Sequence, residues 1–102
     1  METIGEKIRE LREQNKMPLR RLAALLDLDQ STLSKIERNE RQANRRLIEK
    51  IAEIFKANKN ELIVSFYSDK VSYELQNEDL SQEILKVAEQ KVEYLKKQKS
   101  ND

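Results

Sequence analysis

At 102 residues the chain suits one domain with an appended element, and a core this small would gain from packing against a second copy. It contains no Cys and no His, which excludes disulfides, a thiolate nucleophile, and the commonest general base and metal ligand. The net charge of +1 hides a gradient: residues 16–46 hold eight Lys or Arg against four acids, whereas residues 59–102 hold seven Lys against nine acids, so a polyanion-binding part is expected to precede a different kind of segment.

Gly and Pro occur once each, and Leu, Ile, Ala, Glu, Lys and Arg dominate, a composition that predicts an all-α chain. Residues 1–7 lack the apolar run of a signal peptide, and no stretch is apolar and long enough to cross a membrane, so the expected location is cytoplasmic. The first helix is predicted over Ile4–Gln14, with Thr3 and Glu6 as a capping box and Ile4, Ile8 and Leu11 on one face. Asn15-Lys16-Met17 is a short connection. Pro18 then fits the first turn of a second helix that ends near Asp27, with Leu22, Ala23, Leu25 and Leu26 inward.

Asp29 is a good N-cap for a third helix over Gln30–Arg38, and Asn39 tolerates the left-handed conformation that ends one. Leu33 and Ile36 point inward. Around them stand Gln30, Ser31, Thr32, Ser34 and Lys35, small or flexible hydrogen-bonding side chains that gain little on a plain surface helix. A fourth helix over Arg45–Lys56 carries the broad apolar face of Leu47, Ile48, Ile51, Ala52, Ile54 and Phe55, the expected centre of the core. Positive charge at its start, Arg45 and Arg46, opposes the helix dipole, which favours a phosphate partner there.

Asn58 and Glu61 cap a fifth helix over Lys59–Leu75 with the stripe Leu62, Ile63, Phe66, Tyr67, Val71 and Leu75. A polar turn at Gln76–Asp79 leads to a sixth helix over Leu80–Gln98, striped by Leu80, Ile84, Ala88, Val92 and Leu95, with Ser100–Asp102 frayed. Too little chain remains to cover that last stripe. Either it folds back on the fifth helix as a hairpin, or Tyr67, Val71, Leu75, Ile84, Ala88, Val92 and Leu95 form a homodimer seam; the two are compatible, and the dimer is the expected arrangement.

Two short helices joined by a tight turn, the second exposing polar side chains, have the layout that places a helix in the major groove of DNA, about 12 Å wide. Residues 17–39, MPLRRLAALLDLDQSTLSKIERN, resemble the helix-turn-helix of the phage-repressor-like (XRE, or Cro) family. Leu22-Ala23, Leu26, Leu28, Ser31-Thr32, Ser34, Ile36-Glu37 and Arg38 fall in one register with it, and the likeness extends over residues 3–66.

The resemblance implies a five-helix lambda-repressor-like DNA-binding domain at residues 1–66, and residues 67–102 as a C-terminal helical extension for dimerisation. It implies base contacts from Gln30, Ser31, Thr32, Ser34 and Lys35, and phosphate contacts from Arg38, Asn39, Arg41 and Arg45. Arg12 and Glu37 are implied as a structural ion pair. Leu19 stands where relatives often carry a phosphate-binding Gln, leaving that contact to Arg20 and Arg21. Asp27, Asn39 and Lys56 replace glycines, Lys56 least comfortably.

The expected function is a sequence-specific transcription regulator, a homodimeric repressor or autoregulator reading an inverted repeat in double-stranded DNA, its two recognition helices about 34 Å apart. The alternative is an antitoxin or anti-repressor whose C-terminal helices bind a partner protein. An enzyme ranks far below both: no metal set, cofactor motif or Gly-rich phosphate loop is visible.

Overall fold

The structure, a computed structural model, describes residues 1–100. Its helices are α1 (Ile4–Gln14), α2 (Leu19–Leu25), α3 (Gln30–Glu37), α4 (Arg45–Phe55), α5 (Lys59–Leu75) and α6 (Ser81–Ser100), with no strand among the described residues. The five-helix plan with an added C-terminal helix is the expected one. Arg38 and Lys56 cap α3 and α4 rather than extending them. Ser100 closes α6 instead of fraying, and Asn101 and Asp102 lie outside the described residues.

The helix starts are set by short polar side chains. Thr3 Oγ1 accepts from the Glu6 amide, Asp29 Oδ1 from Thr32, Asn44 Oδ1 from Leu47 and Asn58 Oδ1 from Glu61, each satisfying one of the donors that a helix start leaves open. The Ile4 amide is held over a longer range, by Asp69 Oδ2 of α5 at 2.7 Å.

The ends of α1 to α4 share one device. Lys16, Asp27, Asn39 and Lys56 all have left-handed backbone, with φ between 52° and 63°. Beyond each, an amide reaches back five residues: Met17 to the Arg12 carbonyl, Leu28 to Ala23, Glu40 to Lys35, and Ala57 to Ala52. These are Schellman closures, which usually use glycine at the left-handed position. Asp27, Asn39 and Lys56 are the three expected from sequence to stand in glycine positions; Lys16 is an addition.

The single glycine is used elsewhere. Gly5 is buried in α1. A Cβ on it would collide with the Ile36 carbonyl oxygen and lie 2.8 Å from the Glu37 carbonyl oxygen and 2.7 Å from Asn39 Oδ1. Its missing side chain lets α1 lie directly on the C-terminal end of α3.

The chain divides into two units, residues 1–71 and residues 72 onward. In the first, Ile4, Ile8, Leu22, Ala23, Leu26, Leu33, Ile36, Ile48, Ile51, Ala52, Leu62 and Phe66 form one buried cluster, with Leu11, Leu47, Ile54, Phe55 and Ile63 packed at its margin. The central residues of α4, Ile48 and Ile51, are fully buried, as the breadth of its apolar face predicts. Leu25 corrects the expectation: it is 43% exposed. Leu22, Ala23 and Leu26 subtend the inner arc of this seven-residue helix, and Leu25 falls outside it at about 100° per residue. In the second unit, α6 has no buried residue.

Candidate nucleic-acid interface

At 100° per residue, Gln30, Ser31, Ser34 and Lys35 fall in one arc of α3, opposite Leu33 and Ile36. Gln30, Ser31 and Lys35 are exposed and Ser34 is half-buried. The structure therefore brings four of the five expected base-reading residues together. Thr32 sits apart at the edge of the inner face, half-buried, its amide spent on the Asp29 cap. That cap holds the Asp29 carboxyl below its ordinary range, first through the Thr32 amide, then through the Thr32 side chain, and more weakly through the positive charges of Arg41 and Lys35. Arg41 and Lys35 thus share the electrostatic neighbourhood of the α3 N-terminus.

The basic side chains expected at phosphates are all exposed, though not equally available. Arg20 and Arg21 stand on α2 and Arg41 in the loop between α3 and α4; none of the three is in an ion pair among the described residues. Arg38 pairs with Glu40 at 3.1 Å, and Arg45 with Glu49 at 3.0 Å. Hydrogen bonding to Glu49 and then to Tyr67 holds the Arg45 guanidinium more firmly protonated. Exposed pairs of this kind are weak, and a phosphate competes well for the arginine. Leu19, at the position of the missing Gln, packs against the core. Asn39 has a different job: its side-chain amide donates to Thr3 Oγ1 at 2.8 Å, and its left-handed backbone ends α3.

Arg12 and Glu37 form a two-pronged ion pair, Nε to Oε2 at 2.8 Å and Nη2 to Oε1 at 3.1 Å, with Glu37 buried. The Arg12 Nη1 also donates to the Met17 carbonyl at 3.0 Å. One guanidinium thereby ties α1 to α3 and to the turn that launches α2. Its pKa is raised, chiefly by the hydrogen bonds to Glu37. The buried charge is fully partnered; no buried side-chain nitrogen or oxygen lacks a hydrogen bond among the described residues. The arrangement fixes the angle at which α3 is presented.

Three contributors to this presentation were missed from sequence. Gly5 sets the α1–α3 approach, and a lone glycine inside a helical pattern was the available signal. Asp69 and the Thr3–Asn39 bond join residues 65 and 36 positions apart, and no local pattern announces them.

The residues expected at a dimer seam are exposed or partly so. Tyr67 and Val71 are each 43% exposed and Leu75 is half-buried. Ile84, Ala88, Val92 and Leu95 are all exposed on α6.

A family model described as helix-turn-helix matches residues 8–62, more than half of the chain. Among solved structures, the crystal structure of the clp gene regulator ClgR from Corynebacterium glutamicum is similar in fold, with a TM-score of 0.56 and 20% identity over 78% of this chain and 83% of that one. No curated protein matches the chain.

Proposed function

The chain belongs to the XRE-type helix-turn-helix family of DNA-binding transcription regulators, and from that premise we propose that it is a sequence-specific, homodimeric repressor or autoregulator. In this reading α3 enters the major groove. Gln30 bridges adenine N6 and N7, Lys35 donates to guanine O6 or N7, and Ser31 and Ser34, with Thr32 at the margin, complete the readout. Arg20, Arg21 and Arg41 hold phosphates directly, and Arg38 and Arg45 do so after releasing Glu40 and Glu49. The observation that carries the reading is the outward arc of α3, exposed, with Arg41 close to its N-terminal cap, and braced from behind by Arg12 and Glu37. Phosphate contacts set register, and base contacts set sequence.

A two-fold dimer, with its seam on Tyr67, Val71, Leu75, Ile84, Ala88, Val92 and Leu95, presents two such helices to half-sites one helical turn apart. The exposed apolar face of α6 would equally serve an antitoxin or anti-repressor that binds another protein through its tail. Selection of bound sequences from a random double-stranded DNA pool separates the two. The regulator reading expects enrichment of an inverted repeat with half-site centres about 10 base pairs apart. A pool that stays random contradicts it.

A further inference from the structure

Three helices are joined at the start of α1. Thr3 caps that start through its hydroxyl, yet the Ile4 amide, another donor left open there, is taken by a carboxylate 65 residues away, Asp69 Oδ2 of α5, at 2.7 Å. A carboxylate at a helix start gains from the dipole and from charge assistance. Thr3 Oγ1 accepts twice, from the Glu6 amide at 3.1 Å and from the Asn39 side-chain amide at 2.8 Å. Asn39 follows the end of α3, and Gly5 brings α1 onto the Ile36 and Glu37 carbonyls beside it. Consecutive short bonds through the neighbours Ile4 and Thr3 therefore run from α5 to the end of α3. Thr3 and Asp69 both lie outside residues 8–62, which match the helix-turn-helix family model, so that pattern does not supply this link.

A small change at this junction is magnified at the reading face. Gln30 lies about 10 Å along α3 from Glu37, at 1.5 Å per residue, so a tilt of about 5° about the C-terminal end moves Gln30 by about 1 Å. Hydrogen bonds to a base edge tolerate only a few tenths of an ångström before they weaken. The Arg12–Glu37 pair is one polar anchor of that end, and the Thr3–Asn39 bond is a second. Asp69 also carries a negative charge, and on electrostatic grounds alone its removal favours binding to a polyanion. A positioning role gives the opposite sign: removal weakens binding to the preferred sequence.

We infer that Asp69 is a positioning residue for DNA reading: by holding the Ile4 amide it keeps Thr3 where it accepts from Asn39, and so sets the tilt at which α3 meets the base edges. The inference rests on the regulator reading above and adds a residue on α5, remote in sequence from the helix-turn-helix, to the groups on which sequence preference depends. It also gives the Asn39 side chain a role in holding α3 rather than a phosphate.

Asp69→Ala removes the acceptor, whereas Asp69→Asn removes the charge and keeps an oxygen in its place. Each is compared with the parent chain on the double-stranded site recovered by selection and on random double-stranded DNA, and the Asn39 side-chain amide is followed by two-dimensional NMR. Asp69→Ala should lose roughly three- to tenfold on the selected site, hold or gain on random DNA, and shift the Asn39 resonance; Asp69→Asn should restore the selected-site binding and the resonance. Unchanged or tighter binding of Asp69→Ala to the selected site, even with a lower melting temperature, would make Asp69 a structural cap alone and overturn the proposal while the regulator reading stands. A parent chain with no preference for any sequence would overturn both. Asn39→Gly keeps a folded chain in the test, because glycine suits the left-handed backbone there, φ 63°, and only the side chain is lost. It should lose as much on the selected site as Asp69→Ala, and the two changes together should lose no more than either. Additive losses in the pair, or a loss by Asn39→Gly that is equal on random DNA, would break the link between Asp69 and α3 and overturn the proposal.

Discussion

In residues 1–71, twelve apolar side chains are buried in one cluster; α6, twenty residues long, buries none. Both segments are rich in the same helix formers, so propensity does not separate them. What separates them is whether the apolar face finds cover within its own unit. The short helices α2 and α3, seven and eight residues, are far below the length at which an isolated helix persists in water, and tertiary packing holds them. An isolated helix of α6's length is itself marginal, and its apolar half asks for cover. The first unit covers its own apolar faces and so holds α3 in place; α6 leaves its apolar residues exposed.

That contrast breaks or sharpens under substitution. Leu33→Ala, in a fully buried site, should cost about 4 kcal/mol of unfolding free energy, whereas Leu95→Ala should change the chain's own unfolding by less than about 0.5 kcal/mol and act on self-association instead. Comparable losses in denaturant titrations of both variants at low protein concentration would abolish the distinction.

Next in size is the pair behind α3. Glu37→Ala strands a largely buried guanidinium and should cost about 3 kcal/mol, while the double change Arg12→Met with Glu37→Leu should recover much of that. A double variant no better than Glu37→Ala would show that geometry, not the stranded charge, carries the effect.

Smaller again is an exchange of glycine roles. Gly5→Ala should destabilise by about 2 kcal/mol, because overpacking against α3 outweighs the gain in helix propensity of about 1 kcal/mol. Lys56→Gly should stabilise by about 0.5 kcal/mol, relieving a left-handed lysine against the added freedom of the unfolded chain. Thermal melts that reverse either sign would contradict the close approach or the strained closure.

Which features were legible from sequence follows from the range of the interactions. Asp29 and Asn58 could be read as caps because the bond spans three residues. Leu33, Ile36, Ile48 and Ile51 could be read as core because helical periodicity marks an inner face. Leu25 was misread because a seven-residue helix has too few turns to fix the centre of its buried arc. Lys16 escaped notice because lysine itself gives no sign of a left-handed closure; Lys56 was marked only by the resemblance, which implies a glycine there. The Asp69 cap on α1 and the close contact at Gly5 depend on how distant segments meet, and that information resides in the packing rather than in any window of sequence. For the candidate interface, residue types and spacing pointed to α3; only the structure separated Thr32 from the outward arc and turned the Asn39 amide toward Thr3.

The central claim is that the outward arc of α3 reads base edges, and Gln30→Ala tests it most directly, because Gln30 is uncharged and its loss leaves phosphate attraction intact. Binding of this variant and of the parent chain would be compared on the selected site and on random DNA, with Arg41→Ala as the phosphate control. We expect Gln30→Ala to lose about 1–3 kcal/mol on the selected site with relaxed discrimination there and little change on random DNA, while Arg41→Ala weakens all sequences alike and lowers the salt slope by about one. An equal loss on both DNAs for Gln30→Ala, or no loss on either, would contradict the claim.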